Sequence, residues 1–240
     1  MVKKRIVKIL LLILVISIAF GIFYVNDYYH AVEEDIEAYQ VEENVNVNIL
    51  EDGIIVCEPE ETIAGMIFYP GGKVEYTSYL PLMKECAAKG ILCVLFEMPL
   101  NLAVLDINAA DGIQDVYPEI TSWYMAGHSL GGSMAASYIG TNIKEYEGLV
   151  LLGAYGTSDL SDTDLKVLSV YGSEDQVMKK DNYIENKENM PLEFEEQVIQ
   201  GGNHAGFGMY GIQDGDGVAE MTNAEQIQMT ADIIYKFIVE

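Results

Sequence analysis

The stretch Gly127-His128-Ser129-Leu130-Gly131 holds the residues of this chain whose types and spacing most directly suggest chemistry. A serine held between two glycines, after an apolar strand pattern and before a small-residue helix pattern, is expected in a sharp turn that presents its hydroxyl. The glycines have a mechanical role, because a side chain on either flank would collide with the neighbouring elements as the backbone doubles back. Ser129 would then stand at a helix start, where free backbone N–H groups favour a developing negative charge.

A serine hydroxyl is a weak nucleophile at neutral pH and needs a base, with an acid to orient that base. The chain has three histidines. His30 follows the apolar N-terminus, and the His128 ring should point away from its neighbour's hydroxyl, which leaves His204 in Gly201-Gly202-Asn203-His204-Ala205-Gly206. The orienting acid should lie just beyond a strand between serine and histidine, and Val170-Tyr171-Gly172-Ser173-Glu174-Asp175 meets that condition. Asp175 is the first choice and Glu174 the second, while Asp159, Asp162 and Asp164 fall in a polar turn. Ser129, Asp175 and His204 stand in the order used when such a triad is built on an open α/β sheet.

Oxyanion stabilisation calls for two backbone N–H groups aimed at one point. Leu130 N–H, directly after the serine, supplies one. The other is expected from Pro70-Gly71-Gly72-Lys73, with either Gly72 or Lys73 as the donor.

These residues need a sheet that carries them to one edge. Val45 to Ile49 and Ile54 to Cys57, joined by Glu51-Asp52-Gly53, read as an antiparallel hairpin. Apolar runs then alternate with helical stretches, the pattern of a mostly parallel sheet covered on both faces. Strands are expected at Met66–Tyr69, Ile91–Phe96, Trp123–Ala126, Gly148–Leu152, Leu165–Tyr171 and Phe194–Ile199. Helices are expected at Tyr79–Lys89, around Asp111–Ile120, after Ser129, and at Asn223–Val239. The fold class is therefore α/β, with a mostly parallel eight-stranded sheet, helices on both faces and a membrane helix ahead of it. Glu97, between Phe96 and Met98, is an acid in apolar company, expected as a hydrogen-bonded structural group or a polar substrate contact.

Ile9 to Val25 is an uncharged run of 17 residues, preceded by Lys3, Lys4, Arg5 and Lys8 and followed by Tyr28 and Tyr29. That is an N-terminal membrane signal, and the positive flank places the rest of the chain outside the cytoplasm. Residues 1–30 are expected as a single-pass signal anchor in the cell membrane, 31–43 as an acidic stalk and 44–240 as one catalytic domain. The alternative is secretion after cleavage near Ala19-Phe20-Gly21.

Among 240 residues, 38 acids outnumber 13 Lys and Arg, and four of those cations lie in the first eight positions. Such an acidic body repels phosphate backbones, so nucleic acid is not expected as a partner. Asp214-Gly215-Asp216-Gly217 lacks the remaining spacing of a calcium loop and reads as a turn-rich loop. Cys57, Cys86 and Cys93 fall in apolar patterns and read as buried small hydrophobes, with neither a zinc site nor a disulfide framework implied.

Over residues 44 to 240 the chain resembles the α/β-hydrolase family. The match is carried by Gly-His-Ser-Leu-Gly-Gly at 127 to 132, Tyr-Gly-Ser-Glu-Asp at 171 to 175 and Gly-Gly-Asn-His at 201 to 204. It looks most like the small, capless dienelactone-hydrolase-like branch, whose members characteristically carry a cysteine where this chain has Ser129. The resemblance implies hydrolysis of a small-molecule acyl substrate, a carboxylic ester before a thioester or amide. Ser129 would be the nucleophile, His204 the proton shuttle and Asp175 its orienter, with no metal or organic cofactor. An acyltransferase would use the same residues, and a non-catalytic binding protein could keep the same fold.

Overall fold

The structure is a computed structural model that describes residues 2–41, 45–50 and 53–240. The expected boundary between residues 43 and 44, and residues 51 and 52 of the expected hairpin turn, lie outside the described residues.

The sheet has eight strands: β1 (Asn46–Ile49), β2 (Ile55–Glu58), β3 (Ala64–Tyr69), β4 (Ile91–Leu95), β5 (Trp123–His128), β6 (Gly148–Leu152), β7 (Lys166–Gly172) and β8 (Phe194–Ile199). Their spatial order is β1-β2-β4-β3-β5-β6-β7-β8. The β1–β2 and β2–β4 pairs are antiparallel and every other pair is parallel, so the sheet is mixed with a parallel centre.

The central strands β3, β4, β5 and β6 are buried along their whole length, as strands covered on both faces must be. Alternation sends their side chains to two separate cores. Met66, Phe68, Val150 and Leu152 pack with α3 (Leu80–Ala88) and the last helix α7 (Asn223–Val239). Ile67, Tyr69, Leu149 and Leu151 pack on the other side with α5 (Leu130–Ile139). The edge strand β8 carries Glu195, Glu196 and Gln197, polar residues that discourage pairing with a second sheet. Cys57, Cys86 and Cys93 are buried free thiols in the first core, and burial pushes Cys57 up to about 12.

Two elements differ from expectation. The helix expected around Asp111–Ile120 shrinks to α4 (Ile113–Val116), because Pro118 disfavours helical geometry in the residue before it. A seven-residue helix, α6 (Lys180–Asn186), forms in a charged segment that has no apolar period.

Ahead of the sheet, α1 (Val2–Asn26) is a 25-residue helix whose apolar window is unburied by the rest of the chain. At 1.5 Å per residue it reaches about 37 Å, more than the hydrocarbon core of roughly 30 Å, so it is long and apolar enough to cross a bilayer. After it, α2 (Glu33–Ala38) opens a segment that is docked rather than free-standing. Tyr39 is buried, its hydroxyl donates to Glu85 Oε1 at 2.7 Å, and Ile36 and Val41 pack against the first core.

Candidate active site

Ser129 occupies the turn between β5 and α5 with φ 52° and ψ −121°, a conformation that costs a non-glycine residue about 1 to 3 kcal/mol. The surroundings hold it there. Ser129 N–H donates to Leu152 C=O at 2.9 Å, and Ser129 C=O accepts from Ser133 N–H at 3.1 Å. A Cβ on Gly127 would lie 2.6 Å from Gly131 C, and one on Gly131 would lie 2.2 Å from Pro70 O. Those neighbours are backbone and cannot rotate away, so both glycines are required by the packing of α5 against β3 and β5.

The loop after β7 delivers Asp175, which is fully buried. Its Oδ1 accepts the N–H groups of Val177 at 2.9 Å and Met178 at 2.8 Å, which fixes the carboxylate and leaves Oδ2 facing His204 Nδ1 at 2.8 Å. Glu174 turns elsewhere and accepts the Ser173 hydroxyl at 2.9 Å, while Asp159, Asp162 and Asp164 are exposed.

His204 follows β8 at the same sheet edge. Its Nδ1 is 2.9 Å from where a Cβ on Gly153 would lie, one residue beyond the Leu152 carbonyl that holds Ser129. Only glycine at 153 leaves room for the imidazole. Nε2 of His204 is buried with no hydrogen-bond partner among the described residues, so the Ser129 hydroxyl is not bonded to it in this state. A buried donor or acceptor left unpaired costs about 1 to 3 kcal/mol.

The loop around His204 is less free than its glycines suggest. Gln226 of α7 accepts Asn203 N–H at 3.0 Å and donates to Asn203 C=O at 2.8 Å. Asp216 accepts Ala205 N–H at 2.9 Å through Oδ2, and through Oδ1 accepts Gly217 N–H at 2.8 Å and Gln176 N–H at 3.3 Å. One carboxylate thereby joins the Asp175 loop to the His204 loop. In the sequence Asp216 reads only as part of a turn.

Of the two residues expected as the second oxyanion donor, Lys73 already donates its N–H to Asn101 C=O at 2.7 Å, with φ 58°. Gly72 lies against the elbow, where a Cβ would come 2.8 Å from Leu130 Cδ2. Leu130 N–H lies in the first turn of α5, where no carbonyl of that helix reaches it.

Sequence reasoning passed over His128. Strand alternation puts it on the same face as Tyr124 and Ala126, so it is buried in the first core rather than at the hydroxyl. Gly71 N–H donates to Tyr79 OH at 3.1 Å, and Tyr79 OH lies 2.7 Å from His128 Nδ1. Burial raises the Tyr79 pKa above its ordinary 10, so the phenol keeps its proton and its best acceptor is Nδ1. The His128 ring packs 4.5 Å from the His204 ring, and burial first, then the electrostatic effect of the neighbouring His204 imidazole, hold its pKa well below 6.5. Glu97 is the reverse case. It is exposed, its carboxylate close to where a Cβ on Gly53 would lie, because β4 ends at Leu95 and the next residues turn Phe96 and Met98 inward.

An α/β sheet with a serine elbow at the carboxyl ends of its parallel strands defines a class, and the comparisons agree with it. Residues 65–228 match the Alpha/beta hydrolase family, and the chain belongs to that family. No curated protein matches the chain. Among solved structures, a predicted CIB-like hydrolase from Thermoplasma acidophilum shares 14% identity with a TM-score of 0.57, over 80% of this chain and 100% of that one. TT1662 from Thermus thermophilus shares 12% identity with a TM-score of 0.61, over 82% of this chain and 99% of that one. At such identities the likeness shows the fold alone.

Proposed function

We propose that this chain is a membrane-anchored serine hydrolase that cleaves a carboxylic ester or related acyl compound through an acyl-enzyme. The observation that carries this reading is the His204 imidazole, held by a buried carboxylate at 2.8 Å and packed against Gly153, next to the Leu152 carbonyl that holds the strained elbow of Ser129, with its other nitrogen lacking a hydrogen-bond partner among the described residues. Ser129 Oγ bonds to the acyl carbon while His204 Nε2 takes its proton, and Asp175 steadies the imidazolium. Leu130 N–H and Gly72 N–H receive the oxyanion. The acyl–oxygen bond then breaks, His204 returns the proton to the leaving alcohol, and water releases the acyl group by the same steps in reverse order.

The four cations ahead of the apolar run keep the N-terminus in the cytoplasm, and α1 holds the domain on the outer side. The test is covalent labelling by a fluorophosphonate probe. Wild type is expected to label and Ser129→Ala to lose the label while staying folded. A folded wild-type protein that takes no label would favour a non-catalytic binding role.

A further inference from the structure

The segment after α1 ties the helix end to both loops of the candidate site. Tyr29, three residues beyond Asn26, forms a parallel bridge with Val74. Its N–H donates to Lys73 C=O at 2.8 Å, and its C=O accepts Glu75 N–H at 2.9 Å. Val32 N–H donates to Met209 C=O at 2.8 Å, and Tyr29 OH accepts Asp214 N–H at 3.1 Å. The strap thus touches the oxyanion loop on one side and the loop following His204 on the other. Lys73 closes the remaining gap, its Nζ 3.4 Å from Asp27 and 4.0 Å from the ring centroid of Tyr24 in the last turn of α1.

Three residues span at most about 10 Å, so with α1 across a bilayer the catalytic rim stands at headgroup depth. That rim exposes apolar side chains. Leu100 and Leu105 are 51% and 54% exposed on the segment whose Asn101 carbonyl holds Lys73, and Ile212, beside the Tyr29 contact, is 92% exposed. Apolar groups so placed gain by entering the acyl boundary of a membrane. The rim also carries Asp27, Glu75 and Asp106 on a chain of net charge −25, which disfavours an anionic headgroup.

We propose that the active-site rim faces the bilayer and that the substrate is an uncharged long-chain acyl ester resident in the membrane, such as a glyceride, rather than a solute. This rests on Ser129 as the acyl nucleophile and on α1 as an anchor.

The full chain in phosphatidylcholine vesicles would be assayed on p-nitrophenyl acetate and on monooleoylglycerol in the same bilayer, beside a variant with about fifteen Gly and Ser residues inserted between Asn26 and Asp27, a spacer with a reach of roughly 20 Å. The spacer is expected to leave p-nitrophenyl acetate turnover within about twofold and to lower monooleoylglycerol turnover about tenfold or more, as local concentration and orientation are lost. Equal monooleoylglycerol rates in the two proteins would overturn the inference, as would a wild type that cleaves the acetate and leaves the glyceride intact. Loss of both activities together with fluorophosphonate labelling would instead overturn the hydrolase reading, and failure to float with vesicles would overturn the anchor.

Discussion

His204 Nδ1 and Asp175 Oδ2 meet at 2.8 Å in a place where neither side chain is reached by solvent. Because two backbone N–H groups already bind the other carboxylate oxygen, the aspartate cannot rotate to follow the imidazole, and the imidazole must conform to it. Asp175→Asn keeps the shape and reverses the polarity at one atom, which favours the wrong tautomer of His204. The expected result is a fall in kcat of about 10⁴-fold, with KM and the urea midpoint little changed. A variant with more than about a tenth of wild-type turnover would remove Asp175 from the proposed mechanism.

Asp216 makes a different prediction because it touches neither reacting group. It bonds to backbone N–H groups of Gln176 and Ala205, each one residue beyond a member of the proposed triad. Asp216→Ala should loosen the registration of Asp175 against His204, lowering kcat about tenfold or more while KM changes less than twofold. Asp216→Asn, which keeps an acceptor oxygen, should recover part of the loss. If both variants lose stability and turnover per folded molecule stays at the wild-type value, Asp216 is only structural.

Much of this was legible in the sequence where one signal dominated. The closing helix forms over Asn223–Val239 as its apolar period predicts, and the short, continuous apolar runs of β4 and β6 read as strands covered on both faces. The elbow was legible because the packing of Gly127 and Gly131 against backbone leaves no other residue type. What escaped depends on distant partners. Asp216 and Gln226 act through bonds to loops far from them in sequence, and nothing local marks them. The expected stalk carried a faint signal in Ile36 and Tyr39, spaced to share a helix face, yet its surplus of acids outweighed them.

His128 offers a test in which the sign can be worked out in advance. Burial, and then the neighbouring His204, lower its pKa well below the ordinary 6.5, so the folded protein keeps it neutral where the unfolded chain would protonate it. Below about pH 6.5 the unfolded state therefore binds the extra proton, and stability falls as pH falls; above that value the contribution is fully retained. His128→Gln removes the titration while leaving an acceptor for the Tyr79 hydroxyl. Urea unfolding at pH 7.5 and 5.5 should show wild type losing more stability than the variant, by at most about 1.4 kcal/mol per pH unit below 6.5, since the carboxylates contribute alike to both. Equal losses would mean that His128 takes up its proton inside the folded protein, and the neutral ring beside His204 would have to be abandoned.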